Sequence, residues 1–488
     1  MSDSDKRPNI LLIVTDDQCY DTISAMGNPN IHTPNLDSLV NNGFAFYRHF
    51  CTTPICTPAR AEILTGCQSF NNRVPWFGMP IDSQLELLPQ TLQKNDYHTM
   101  HIGKWHNDGH PRDKGYNVTR RVFGEDNLND PLEKGHYMRF EEDGKHIEGH
   151  SSELFTDAAI EEIRKADNDK PWFCFLGYFA PHDPHHSPAP FGTMYSQDNM
   201  PLPSNFMPEH PYDNGAMIIR DEFLETLPRR HDAIKKYRSR YYGIISHLDH
   251  NIGRLIGELR KTDKLDNTII IFTGDQGLAA GSHGLLGKES MYDHSIASPL
   301  ILCGPGIAAG GKSKAMSHHT DIYPTICDLA KIARPQSASD GFSLMPIIRD
   351  QVDSVRDAVL CEFCMPRQQE GKLHHVQRAV RTRHWKLIWY AECNMFQLFD
   401  LERDSEELVN LLAPWRLRHW RLLEQDPKYN YSKTNRWAPI DFKPNYNYTQ
   451  IMNTAKELWQ KMRQLMDNNN DPLETPERPN CPIDTSIK

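Results

Sequence analysis

The clearest order in the chain is a set of short apolar runs that end in polar clusters. Residues 9–15 (NILLIVT) and 268–273 (TIIIFT) are continuous apolar stretches of strand length, as expected for parallel strands buried on both faces. Residues 97–102 (YHTMHI) and 172–179 (WFCFLGYF) follow the same design. The first run stops at Asp16 and Asp17, and the last at Gly274, Asp275, Gln276 and Gly277. The two between them stop at Gly103, Lys104, Trp105 and His106, and at Ala180, Pro181, His182 and Asp183. Helical segments over 34–41 and 237–259 alternate with these runs, which predicts an α/β architecture. In open α/β sheets ligands bind at the carboxyl ends of the parallel strands, so the four polar endings are expected to converge.

Taken singly, the endings have ordinary readings: Asp16 and Asp17 as loop or capping residues, residues 275–277 as a turn, Lys104 as a solvated tip, His182 as a hydrogen-bonded loop histidine. Together they carry chemistry. Adjacent carboxylates at a buried edge cannot both stay ionised without a cation, and Asp16, Asp17, Asp275 and the Gln276 amide oxygen form a hard-oxygen set suited to Ca²⁺ or Mg²⁺ and not to zinc. Residues 55–66 (ICTPARAEILTG) add a second feature. Pro58 favours a helical first turn and Gly66 a stop, which puts Cys56 at a helix N-terminus, where free N–H groups and the helix dipole favour negative charge. Arg60, one turn on, can reach back to the same spot. On these local features alone, a small buried cysteine beside a helix start accounts for the segment equally well.

Near residue 352 the pattern changes. Alternating runs over 378–390 and 395–401 predict an antiparallel sheet, and 448–466 reads as an amphipathic closing helix. The expected division is a catalytic α/β domain over 1–351 and a smaller C-terminal subdomain over 352–488. Residues 414–448, rich in Trp, Tyr, Arg and Asn, suit either the recognition of sugar rings or a long packed loop.

The 488 residues, 38% of them hydrophobic and without low-complexity blocks, are enough for two such cores and exclude a disordered or fibrous chain. A formal charge of −10 argues against broad nucleic-acid binding, so an anionic substrate would need a local basic pocket. Eleven scattered cysteines read mostly as free thiols, and the lone CxxC of Cys361 and Cys364 as structural. The start, MSDSDKRPN, is polar, and the apolar run after it is too short for a leader core or a membrane span. The expectation is a cytoplasmic protein without membrane contact, or a periplasmic or secreted one if a leader was removed.

The motifs, taken in order, resemble those of the type I sulfatases of the alkaline-phosphatase-like superfamily. CTPAR and LTG at 56–66 carry most of the likeness. TPNLD at 33–37, GKWH at 103–106, APH at 180–182, YYGIISHLDHNIGRLI at 241–256, IIIFTGDQG at 269–277, HGLLGK at 283–288 and GPGI at 304–307 extend it. DGFSLMP at 340–346 and LFDLERDSEE at 398–407 carry it into the second domain. The resemblance implies a large mixed, mostly parallel sheet flanked by helices, with a C-terminal α+β subdomain. It also implies that a maturase converts Cys56 to Cα-formylglycine, whose hydrated aldehyde attacks sulfur. By the same likeness Asp16, Asp17, Asp275 and Gln276 would hold one Ca²⁺, with the modified Cys56 completing the site; Gln276 stands where the family most often has Asn. Arg60 would polarise the hydrate, Lys104 and Lys288 would bind sulfate oxygens, His106 would assist expulsion of sulfate, and His182 would protonate the leaving oxygen. Asp183, His185, His186, His283 and His294 lie close enough in sequence to line a pocket. The implied substrate is a sulfated carbohydrate or another small sulfate ester. Two alternatives share these motifs: a phosphodiester or phosphonate monoester hydrolase, and a non-catalytic sulfated-glycan binder in which Cys56 is never modified. Intact Lys104, His106, His182 and Lys288 count against the binder.

Overall fold

The run NILLIVT becomes strand β1 (Asn9–Thr15), with every residue buried. Its alternate side chains feed two different cores, as the two-residue period of a strand requires. Leu12 and Val14 pack in one with Ile63, Leu64, Ile322 and Ile326. Leu11 and Ile13 pack in the other with Leu36, Ile244, Leu248 and Ile252. A strand apolar on both faces is thus covered by helices on both faces.

This computed structural model describes residues 6–124, 135–142, 144–167, 169–214, 216–366, 373–393, 395–414, 416, 417, 421 and 446–473. After β1 come helix α1 (Pro34–Asn42), β2 (Phe44–Phe50), α2 (Cys56–Thr65), α3 (Leu88–Lys94), β3 (His98–Lys104) and β4 (Val118–Phe123). A hairpin of β5 (Tyr137–Glu142) and β6 (Lys145–His150) leads into α4 (Ser151–Lys165), β7 (Trp172–Gly177) and the long α5 (His231–Lys261). Then follow β8 (Thr268–Gly274), β9 (Ala297–Cys303), β10 (Gly311–Ser313) and β11 (Ser317–His318). Apart from the β5–β6 hairpin these strands form one nine-stranded sheet in the order β10-β2-β9-β8-β1-β7-β3-β4, with β11 also on β2. All pairings are parallel except those of β9 with β2 and β8, which makes the sheet mixed and mostly parallel.

The register aligns the strand ends. Thr15 is opposite Gly274, Val14 is opposite Gly177, and Gly177 is opposite Gly103. The polar residues that follow β1, β7 and β8, and those at the end of β3, therefore emerge along one edge. Glycine is required there: a Cβ on Gly177 would collide with the Lys104 carbonyl and come 3.2 Å from Arg60 Nη1.

By contacts the chain divides into two compact units, residues 1–212 with 216–357, and residues 213–215 with 358–488. The second contains a four-stranded antiparallel sheet, β12 (Ala358–Pro366), β13 (Leu373–Thr382), β14 (Trp385–Tyr390) and β15 (Met395–Asp400), in that order. The alternating stretch 378–390 is two strands and not one, because Thr382 turns the chain, its Oγ1 accepting from Trp385 N–H at 3.0 Å. The closing helix Tyr448–Asn468 lays Ile451, Ala455, Leu458, Trp459 and Met462 on this sheet against Leu387, Trp389 and Leu398, a spacing that keeps one helical face apolar. Cys361 and Cys364 are buried in β12 and join no metal-ligand cluster among the described residues. The aromatic-rich segment 414–448 lies almost wholly outside the described residues. Among them, no helix is long and apolar enough to cross a membrane.

Candidate active site

Helix α2 begins at Cys56, after the extended Ile55, and ends where Gly66 turns left-handed with φ 68°. The cysteine therefore occupies the first helical position, facing the carboxyl edge of the sheet. Its approach is held by Glu62, buried on the same helix, whose carboxylate accepts from the N–H groups of Thr52 and Thr53 at 3.0 and 3.3 Å. Nothing local in the sequence marks Glu62 as a buried acceptor.

Cys56 Sγ lies 3.2 Å from Asp16 Oδ1 and 3.2 Å from Gln276 Nε2. Asp16 and Asp17 follow β1, and Asp275 and Gln276 follow β8. Two consecutive residues of a regular strand would point to opposite faces. Asp17 has φ 61°, a left-handed turn that costs about 1–2 kcal/mol and lets both carboxylates face the same space. Tyr241 of α5 pins the turn by donating to Asp17 O at 2.6 Å. Asp275 binds it from the other side, its Oδ1 accepting from Asp17 N–H at 3.1 Å and Gln276 N–H at 3.0 Å.

Each acid has its own cation. Lys104 Nζ pairs with Asp16, Lys288 Nζ donates to both Asp17 oxygens at 2.8 Å, and Arg60 Nε donates to Asp275 Oδ2 at 2.9 Å. Arg60 Nη1 also donates to Lys104 O at 3.2 Å. Exposure of Arg60, Lys104 and Lys288 is 0, 2 and 3%. Burying ion pairs at this density is a poor route to stability, since well-packed apolar replacements are often neutral or better by about 1–4 kcal/mol.

Electrostatics order the group further. Lys104, with His182 and Arg60, holds the Asp16 carboxyl well below the usual range in spite of burial. Burial and repulsion from Asp16 raise Asp275 to about 7. Burial, aided by Asp16, pushes the Cys56 thiol up, so it is not a thiolate nucleophile in this setting. Burial and nearby Lys104 hold His106 well below its ordinary value, leaving a neutral ring whose Nδ1 has no partner among the described residues.

His182 follows β7. Its Nδ1 lies 2.7 Å from the Asp183 carbonyl, which can only accept; the proton on that nitrogen is thereby assigned, and Nε2 faces Asp17 Oδ2 at 3.7 Å. A cavity of about 350 Å³ opens beside these groups, lined by Lys104, His106, Phe123, Phe179, His182, Asp183 and Arg220 among others. Of the residues singled out nearby, only Asp183 lines it. His185 is buried against Tyr237 and Tyr241, and His283 stacks 3.9 Å from Tyr292 with His294 behind it.

Two features had no sequence signal. Arg220, from a segment without strand or amphipathic pattern, reaches the cavity and pairs with Asp183 and, at 2.7 Å, with Asp221. Glu222, paired with Arg229, accepts from Leu286 N–H at 3.0 Å and Gly287 N–H at 2.9 Å, and so fixes the loop that carries Lys288.

The mixed, mostly parallel sheet with its antiparallel C-terminal sheet has the alkaline-phosphatase-like fold. The chain belongs to the sulfatase family, whose model matches residues 8–332, well over half of its length. A second model, the C-terminal region of N-sulphoglucosamine sulphohydrolase, matches residues 281–421. Sequence comparison finds 29% identity over 476 residues with an N-acetylglucosamine-6-O-sulfatase of Bacteroides thetaiotaomicron, covering 84% of this chain and 83% of that one. Among solved structures, a protein in complex with its substrate D-glucosamine-2-N,6-O-disulfate matches with TM-score 0.76 at 24% identity, over 97% of this chain and 100% of that one. The phosphonate monoester hydrolase of Agrobacterium radiobacter matches with TM-score 0.70 at 24% identity, over 86% and 95%. These two likenesses are of fold. The protein is a type I sulfatase of the alkaline-phosphatase-like superfamily.

Proposed function

We propose that this enzyme removes sulfate from a sulfated carbohydrate, with hydrated Cα-formylglycine made from Cys56 as nucleophile and one Ca²⁺ held by the acids. The observation that carries this reading is the convergence of three buried cations and three buried acids on a cysteine at a helix N-terminus. The donor set fits a hard cation. Asp16, Asp17 and Asp275 each offer an oxygen, all within 4.8 Å of one another, and Gln276 keeps a buried Oε1 without a partner among the described residues while its Nε2 lies 2.6 Å from Asp17 Oδ1. Rotating that amide by half a turn would present its oxygen to the same space. Bound there, Ca²⁺ would supply Lewis-acid stabilisation of charge on the sulfate and the nucleophile.

The chain's own residues account for the rest. With the charge of Asp16 and Asp17 taken up, the ammonium groups of Lys104 and Lys288 are free to face sulfate oxygens, where preorganised positive charge stabilises the transferring group. Arg60, fixed by Asp275, orients the hydrate. In that reaction His182 would protonate the departing sugar oxygen from Nε2, acting as the imidazolium because Nδ1 already carries a proton towards the Asp183 carbonyl, and Asp16, whose Oδ1 lies 3.2 Å from Cys56 Sγ, would take the proton of the attacking hydroxyl. His106, held neutral, would accept the proton of the second hydroxyl as sulfate is expelled. The balance is one singly charged sulfate ester and one water to one alcohol, one sulfate dianion and one proton. A carbohydrate substrate is supported by the kinship to an N-acetylglucosamine-6-O-sulfatase.

The fold shared with a phosphonate monoester hydrolase favours a second reading, hydrolysis of a singly charged phosphorus ester. Matched aryl sulfate, phosphate monoester, phosphodiester and phosphonate monoester, together with a panel of sulfated sugars, decide between them. We expect sulfate to lead in kcat/KM, because one divalent cation and three protein cations suit a monoanion better than the phosphate monoester dianion. A diester or phosphonate that exceeds the aryl sulfate, with no sulfate released from any sugar, would replace the first reading by the second.

Metal loading should depend on pH. The Asp275 carboxyl, raised to about 7 in the metal-free protein, must lose its proton to become a ligand. Below that pH protons compete with the cation; Ca²⁺ affinity should rise with pH and level off above about 7, with proton release on binding near pH 6. Calorimetry in buffers of different ionisation enthalpy measures this, and an affinity flat between pH 5.5 and 8 would count against it.

A further inference from the structure

We infer that His136 and His150 form a two-point clamp that positions His182, a role that rests on His182 being the group that protonates the leaving oxygen. The pair stands at the two ends of the β5–β6 hairpin, where Tyr137 is in register with His150. This brings the two imidazoles face to face, with ring centres 5.1 Å apart and planes within 8°. Both are fully enclosed, at 0 and 1% exposure.

Each ring reaches the loop that follows β7. His136 Nε2 lies 2.8 Å from the carbonyl of His182, and His150 Nε2 lies 3.0 Å from the carbonyl of His186. A carbonyl only accepts, so both Nε2 atoms carry protons and both Nδ1 atoms are acceptors. The partners agree: Ser151 Oγ sits 2.9 Å from His136 Nδ1, and Ser152 N–H donates to His150 Nδ1 at 3.2 Å. Ser151 and Ser152 open α4, so the hairpin and the helix start set both tautomers. Burial keeps the two rings neutral, which this bonding requires. The clamped backbone carries a side chain that is itself stacked, His182 lying 5.0 Å from Phe179 and Phe179 lying 4.5 Å from His136. One layer of rings thus runs from the clamp to the acid. A proton donor that is 1 Å out of place loses much of its effect, which gives the clamp its purpose.

The test compares two amides that differ in reach. Gln at position 136 can place a donor where Nε2 stands; Asn can meet Ser151 but falls short of the His182 carbonyl. A sugar sulfate has a poor leaving group that needs the proton, and 4-nitrophenyl sulfate has a good one that does not. His182→Ala should lose at least about 10-fold more kcat on the sugar sulfate than on the aryl sulfate. His136→Asn should show the same bias, His136→Gln should stay within about 3-fold of the wild type on both substrates, and adding His136→Asn to His182→Ala should cost little more than His182→Ala alone. Equal losses on the two substrates for His136→Asn, full additivity, or a Gln variant no better than the Asn variant would overturn the clamp while leaving the sulfatase reading intact. A His182→Ala variant without the leaving-group bias would overturn the clamp together with the role of His182. Failure of the wild type on every sulfate ester would overturn the proposed function itself.

Discussion

Cys56→Ala and Cys56→Ser are expected to abolish sulfate-ester hydrolysis, by on the order of 10⁴-fold or more, while the protein stays folded. Loss of a covalent nucleophile has effects of this size because no neighbouring group replaces the bond it makes. Folding should tolerate both changes: the thiol's contacts with Asp16 and Gln276 are few beside the ion pair and hydrogen bond that already hold those residues. Both variants remove the thiol and the aldehyde made from it alike; the raised pKa of the thiol disfavours its reacting itself. Mass spectrometry of the peptide containing residue 56, from protein made beside a competent maturase, should show the thiol sulfur replaced by an aldehyde oxygen. Fully active protein with an unmodified thiol would sink the formylglycine reading, and a Cys56→Ala variant that retains activity would sink the nucleophile.

Asp275→Asn should remove the bound cation and lower kcat by about 10³-fold or more, in keeping with the several kcal/mol a metal supplies as Lewis acid. The change keeps the shape of the side chain but deletes the charge that both a hard cation and Arg60 use. Arg60 would then be buried beside a neutral amide, and leaving a buried charge uncompensated costs up to about 3–5 kcal/mol. A fall in Tm is therefore expected even without metal, in contrast to Cys56→Ala. Elemental analysis should find about one Ca²⁺ in the active wild type and none in the variant. Stoichiometric zinc at Cys361 and Cys364, with nothing at the acids, would overturn the site.

Much of this was legible in the residues. Runs such as NILLIVT and TIIIFT are long enough, apolar enough and β-branched enough to have little alternative to a central parallel strand, and they emerge as β1 and β8. Their polar endings then had to meet, because parallel strands share one carboxyl edge. Harder to read were β2 and β9, the pair that makes the sheet mixed. FAFYRHF at 44–50 and ASPLILC at 297–303 are apolar without saying which direction they run, since strand direction depends on partners far away in sequence. The division of 378–390 into two strands was hidden for a related reason: a Thr382 side chain meeting one backbone N–H makes a turn that no composition rule announces.

Sequence alone determined the α/β class, through apolar runs of fixed period that end in acids, lysines and histidines, and the ordered motifs around CTPAR carried the likeness to the sulfatases. The tertiary structure decided what those groups do to one another. That Asp16 pairs with Lys104, Asp17 with Lys288 and Asp275 with Arg60, that Asp17 turns left-handed to bring two adjacent carboxylates to one side, and that Glu222 and the stacked His136 and His150 hold the loops of Lys288 and His182, are all facts of distance. Propensity and period act over a few residues, whereas Coulomb energy and hydrogen bonding depend on separation in space, which only the folded chain defines.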